Sequence, residues 1–175
     1  MHFSLPFPTA LVLLTAMSML SACDQRKLNA DMLAERPTAS PQMQYFIDQW
    51  NKPGTVSIPY GLYKADVQTD TGVAYGELQA SYLFAEDRVI VKAVARSYPF
   101  GLFSLELPIA GSAHYTTHNG LIEYSDIRGD KAIFPEFKTP YEVTHHGDQI
   151  VLYEQVKDAI RPLFLTRDQP SIKSY

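Results

Sequence analysis

Five histidines, one cysteine and nineteen carboxylates are the groups in this 175-residue chain whose side chains could do chemistry. His114 and His118 stand four apart in a segment that reads as a β-strand, which puts them on one face but about 13 Å apart. One metal ion cannot take two ligands across that gap. His145 and His146 are adjacent in another expected strand and point to opposite faces. The carboxylates of Glu86-Asp87, and of Asp66 with Asp70, fall in or near expected turns, where they are solvated. There is no Gly-x-Ser-x-Gly elbow, no His-Glu-x-x-His, no phosphate-cradling glycine loop and no paired cysteine motif. No catalytic residue, cofactor site or metal ligand is assigned on these grounds, and the expectation is a protein that is not an enzyme.

That leaves Cys23, whose surroundings are specific. Ala10 to Leu20 is an apolar run of the length of a secretory core, and Leu20-Ser21-Ala22-Cys23 ends it with small residues before the thiol. This stretch resembles the lipobox of bacterial lipoproteins. The resemblance implies that residues 1–22 are a signal peptide, that Cys23 receives a diacylglycerol and becomes the first mature residue, and that the covalent lipid is the only prosthetic group. It implies a cell-envelope location, anchored in a membrane and facing the periplasm. Asp24 resembles the retention signal that keeps some lipoproteins in the inner membrane. The run lacks the usual preceding Lys or Arg, and Phe3 to Ala22 is uncharged and long enough to span a bilayer as an uncleaved anchor. The lone cysteine at its boundary favours lipidation.

With Cys23 committed to lipid, the rest of the chain has no thiol and no disulfide, so its stability must come from its core. About 150 residues suffice for one domain. The formal net charge is −4, and every charged side chain lies at or beyond Asp24. That balance provides no footprint for nucleic acid.

The elements follow from pattern. Residues 23–40 read as the lipidated N-terminus and a polar tether, and 41–175 as a single β-rich domain. Ser40 and Pro41 suit the N-cap and first position of a helix over 41–50, with Met43, Phe46, Ile47 and Trp50 on one stripe facing the protein's own sheet. Asn51-Lys52-Pro53-Gly54 stops it. From Thr55 the composition is that of strands, expected near 56–68, 73–84, 88–98, 102–107, 113–118, 121–127, 139–146, 149–154 and 163–167, with an edge piece at 131–137.

Three hairpins fix registers. A turn at Glu86-Asp87 pairs Phe84 with Val89, Tyr82 with Val91, Ala80 with Ala93 and Leu78 with Ala95 on an apolar face. Glu77 then meets Arg96, and Ser81 meets Lys92, on the other. Asn119-Gly120, both tolerant of positive φ, pairs Tyr115 with Tyr124 and Thr117 with Ile122, leaving His114, His118 and Glu123 outside. Gly147-Asp148 places Val143 opposite Leu152 and His145 opposite Ile150. The sum is a mainly β fold: an antiparallel up-and-down barrel or sandwich of about 8–10 strands with one N-terminal amphipathic helix.

In pattern this is similar to the lipocalin-type (calycin) barrels, without their Gly-x-Trp motif: Trp50 is preceded at two residues by Asp48. The functional expectation is a membrane-tethered, non-enzymatic binding module. Its partner is a protein of the envelope or an apolar small ligand, met at a tyrosine-lined barrel mouth or a sheet face. The alternatives are a structural or assembly lipoprotein of an envelope machine, or an inhibitor or immunity factor against a secreted hydrolase.

Overall fold

The computed structural model describes residues 35–50, 57–70, 74–99, 104–156 and 159–168. Cys23, Asp24 and the expected signal peptide 1–22 lie outside the described residues, as does the helix stop at 51–54. Helix α1 (Pro41–Gln49) is followed by β1 (Gly61–Asp70), β2 (Ala74–Phe84), β3 (Arg88–Pro99), β4 (Leu105–His118), β5 (Leu121–Gly129), β6 (Thr139–Thr144), β7 (Gln149–Val156) and β8 (Ala159–Arg167). The eight strands are antiparallel neighbours in chain order and close into a barrel. Between barrel and sandwich, the fold is the barrel. Among the described residues no helix is long and apolar enough to cross a membrane.

Alternation of apolar and polar residues produces this closure. Tyr63 and Ala65 on β1, Ala80, Tyr82 and Phe84 on β2, Val89 and Val91 on β3, and Ile150 and Leu152 on β7 are all buried and share one core. The β2–β3 register is the one the apolar face dictates, with Tyr82 opposite Val91 and Glu77 opposite Arg96. At the next hairpin Asn119 (φ 52°) and Gly120 (φ 75°) adopt the left-handed pair that a two-residue turn needs, and Tyr115 meets Tyr124. A bulge follows on β5 at Asp126 (φ 50°), letting two residues oppose one on β4. Beyond it Gly129 lies so close to β4 that a Cβ there would stand 2.4 Å from the Ala110 carbonyl oxygen. Its φ of +84° likewise suits only glycine.

Two seams are short. β1 meets β8 over the pairs Tyr63–Arg167 and Lys64–Thr166, supported by an ion pair between Lys64 and Asp168 at 3.0 Å. β5 meets β6 only at Leu121–Pro140 and Ile122–Thr139. The segment 36–50 bridges this second seam as a strap. The Arg36 guanidinium donates to the carbonyls of Phe134 and Pro135, and the Glu136 N–H donates to Pro37 O at 3.0 Å. On the other side, Ser40 N–H donates to Gln155 Oε1 at 2.7 Å and Gln155 Nε2 donates to Thr38 O at 3.2 Å. Ser40 Oγ caps α1 by accepting from Met43 N–H, and Pro41 opens the helix. Met43 is fully buried, while Phe46 and Trp50 pack at a tilt against Tyr153 of β7, at centroid distances of 5.5 and 4.9 Å. The stripe therefore packs on the protein's own sheet.

Four details differ from the sequence reading. The expected strands 102–107 and 113–118 are one strand, β4. Pro108 is tolerated because its missing N–H faces away from β3, as does the Ala110 N–H, at a level where β4 has run past its β5 pairs. The expected edge piece at 131–137 is a 3-10 turn, Lys131–Ile133, that carries Phe134 into the core. The last hairpin is shifted by two residues, with Val143 opposite Ile150 and Tyr141 opposite Leu152. His145–Gly147 forms a 3-10 turn there, with left-handed φ at His146 and Gly147, so the two histidines do not alternate on a strand. The helix ends at Gln49, with Trp50 as its C-cap.

Candidate binding site inside the barrel

The barrel's two halves differ in how they are filled. The near end carries the turns after β2, β4 and β6, and an aromatic donor pins each one. Tyr115 OH donates to Ala85 O at 2.8 Å, Trp50 Nε1–H to Gly120 O at 3.0 Å, and Tyr63 OH to Gly147 O at 2.8 Å. Each donation goes to a turn carbonyl, and Gly120 O also accepts the Tyr141 backbone N–H. Inside this end Tyr63, Phe84, Tyr115 and Tyr141 pack closely, with Phe84 edge-on to both Tyr63 and Tyr115. Burial raises the Tyr115 hydroxyl to about 12 and moves those of Tyr63 and Tyr141 up as well. A surface pocket of about 540 Å³ remains outside this plug, between the 57–60 segment, Glu86 and the Tyr115–Thr117 edge of β4. Its lining mixes polar and apolar groups. The tyrosines expected to line a mouth thus divide: Tyr60 is exposed at this pocket, whereas Tyr63 and Tyr141 fill the interior.

The far half is less full. Val67, Leu78, Ala93, Ala95, Leu107 and Ile109 continue the inward-facing rows of their strands, since they share the parity of the buried core residues and pair with one another, and Ile127 joins them beyond the β5 bulge, packed against the core. Yet all seven keep accessible surface, unlike their near-end counterparts. At Gly111 the missing side chain is replaced by Phe134 and Ile133, which come within 3.1 and 3.2 Å of where a Cβ would stand. The far end of the inner face is thus apolar and partly exposed.

One ionisable group stands on the same inner face. On β7, Ile150 and Leu152 point inward, and Glu154 follows them at the same parity. Burial alone lifts its carboxyl to about 7. The side chain nonetheless keeps part of its surface accessible, which is the situation of a group on the wall of an internal space. Tyr82 and Tyr124 lie within its electrostatic reach. Their hydroxyls are driven well above the usual phenol range, first by burial and then by the Glu154 charge. Among the described residues, neither phenol nor the Glu154 carboxyl has a hydrogen-bond partner. Among the described residues, Thr139 Oγ1 is a fully sealed side-chain oxygen without a partner.

His114 and His118, weighed as metal ligands, are separate, and outside the barrel. His114 Nδ1 lies 3.0 Å from Asp87 Oδ2 and its Nε2 lies 3.9 Å from Asp126 Oδ2, while His118 is exposed. No group of three His, Cys, Asp or Glu among the described residues is placed to hold a metal ion. Glu86 borders the surface pocket. Asp66 is exposed, and Glu77 stands opposite Arg96, which pairs with Glu106 at 2.7 Å. Glu154 was not singled out by sequence reasoning. The signal that marks it is an acid in phase with Ile150 and Leu152 on a strand whose inner face is otherwise apolar. Compared with protein-family models, with curated proteins and with solved structures, the chain finds no significant match.

Proposed function

We propose that the protein is a non-enzymatic binding module of the bacterial cell envelope, anchored by diacylglycerol on Cys23 and facing the periplasm. In this reading residues 1–22 are removed, 23–40 lead from the membrane to the barrel, and 41–175 form the working domain, with Asp24 favouring the inner membrane. The barrel receives an apolar small molecule. The observation that carries this choice over a protein partner is the partly exposed inward row Val67, Leu78, Ala93, Ala95, Leu107 and Ile109. Apolar surface on the inner face of a closed barrel is accessible to small molecules and closed to a folded protein.

A second reading has its own support. On the outer face Leu62, Leu83 and Ile90 are direct cross-strand neighbours and are 36%, 42% and 38% exposed. An apolar row of that kind suits contact with an envelope protein.

The anchor is tested by Cys23→Ala, which should leave an unprocessed precursor and abolish labelling by a radioactive fatty acid. Retained labelling and processing at that position would overturn it. The cargo is tested by native mass spectrometry of the wild-type protein released from its own membranes. Co-purification of an apolar small molecule supports the barrel reading. A protein cross-linked at Leu83, with no small molecule bound, supports the second.

A further inference from the structure

The surface pocket beside the aromatic plug is lined differently from the barrel interior, and one of its walls is held from several sides. Its volume of about 540 Å³ falls among the roughly 300–1,000 Å³ common to small-molecule sites. Ile58, buried in the core, anchors the 57–60 segment that forms this wall. The Tyr63 hydroxyl, which donates to Gly147 O, also lies 3.3 Å from Pro59 O. Pro59 packs on Gly147, where a Cβ would stand 2.8 Å from the proline Cγ. The Arg167 guanidinium donates to Tyr60 O at 2.7 Å. This pinned backbone nevertheless leaves Tyr60 58% exposed at the pocket. The remaining wall brings the Glu86 carboxylate and the Thr116 hydroxyl, both from exposed residues. Among the described residues that line the pocket, Glu86 carries the one formal charge.

We propose that this pocket binds a pyranose sugar, with the Tyr60 ring against the apolar C–H face of the sugar and Glu86 and Thr116 bonded to its hydroxyls. The site lies outside the barrel interior, goes beyond the apolar-ligand reading and does not depend on it. A pyranose has one apolar face and a polar rim, and this lining offers a surface for each. Tyr60 supplies a preorganised aromatic face, Glu86 a carboxylate that accepts two adjacent hydroxyls, and Thr116 a hydroxyl that both donates and accepts. The competing classes fit less well. An anion meets a carboxylate with no cation beside it in the lining. A lone ammonium gains little from one hydrated carboxylate on an open rim. An open-chain polyol carries the same hydroxyls without a rigid C–H face, so it forfeits the contact with Tyr60.

The test is saturation-transfer NMR on the full-length protein in phospholipid nanodiscs, with cellotriose, chitotriose, sorbitol and butylamine as probes and empty nanodiscs as the blank. Either trisaccharide should receive saturation, strongest on the axial protons of one ring face, and the stronger of the two shows whether an acetamido group is accepted. Sorbitol and butylamine should receive none. Tyr60→Ala should weaken sugar binding about tenfold, the loss of one aromatic contact, whereas Tyr60→Phe should retain it. Glu86→Gln should weaken it as well. Both positions are exposed, and unchanged methyl resonances show that each variant is folded. The proposal is overturned if sorbitol is saturated as strongly as the sugars, if butylamine binds in preference, if sugar binding survives Tyr60→Ala, or if neither trisaccharide binds the wild type. None of these results touches the apolar row inside the barrel.

Discussion

Trp50 and Tyr141 share one acceptor: the Gly120 carbonyl takes the Trp50 indole N–H at 3.0 Å and the Tyr141 backbone N–H at 2.8 Å. The residue that caps α1 and the strand that borders the weakest seam are therefore joined at the tip of the β4–β5 hairpin. Trp50 also packs against Phe46 and Tyr153. Its ring is a rivet through the strap, the turn and β7.

Trp50→Ala should lower the denaturation free energy by about 3 kcal/mol, the cost of removing a packed aromatic. Trp50→Phe should lose about 1 kcal/mol, because the ring contacts survive and Gly120 O keeps the Tyr141 donor, so no carbonyl is orphaned. Denaturant midpoints of the two variants check this. Equal losses would mean that the indole N–H, and not the ring, holds the strap.

Glu154 should make the empty protein less stable as pH rises. Its carboxyl titrates at about 7 when folded, above the ordinary 4.5, so the native state binds more protons than the unfolded state between those values. The stabilisation of the neutral acid is whole below about 4.5 and is lost as pH climbs through 7. A shift of this size corresponds to about 3 kcal/mol at most, and the partial accessibility of the side chain lowers it to about 2. Glu154→Gln should match the wild type near pH 4.5 and exceed its stability by about 2 kcal/mol at pH 8. Parallel stability curves for the two proteins would show that the carboxyl is fully hydrated.

Thr139 begins β6 at the seam, paired with Ile122, and its hydroxyl is sealed without a partner. Thr139→Val keeps the shape and removes the orphaned hydroxyl. Thermal denaturation should show a gain of about 1 kcal/mol. A loss would reveal a buried water bonded to Thr139 Oγ1.

The parts of this fold legible in the sequence are those whose causes are local. Glu86-Asp87 and Asn119-Gly120 each determine a turn within a few residues, and alternation then fixes every pair from Phe84–Val89 to Leu78–Ala95. The hairpin at 145–148 was misread by two residues because its geometry has a distant cause: Tyr63 OH holds the Gly147 carbonyl, and His146 joins Gly147 at positive φ. β4 read as two strands because Pro108 and Gly111 break the apolar alternation, and only the absence of β5 pairing at Pro108 makes it harmless. Glu154 was not legible, because an acid among apolar residues becomes informative only once the barrel shows which face is inward.

The strap also sets an order of events. Every hairpin joins strands adjacent in the chain, whereas Arg36 meets Phe134 across 98 residues and Ser40 meets Gln155 across 115. Contacts of such separation carry the largest loop-closure cost until the intervening strands have shortened the path. The strap is thus, together with the β1–β8 closure, among the late parts to find its place. Until it does, the β5–β6 seam has only the pairs at Leu121 and Ile122 to hold it.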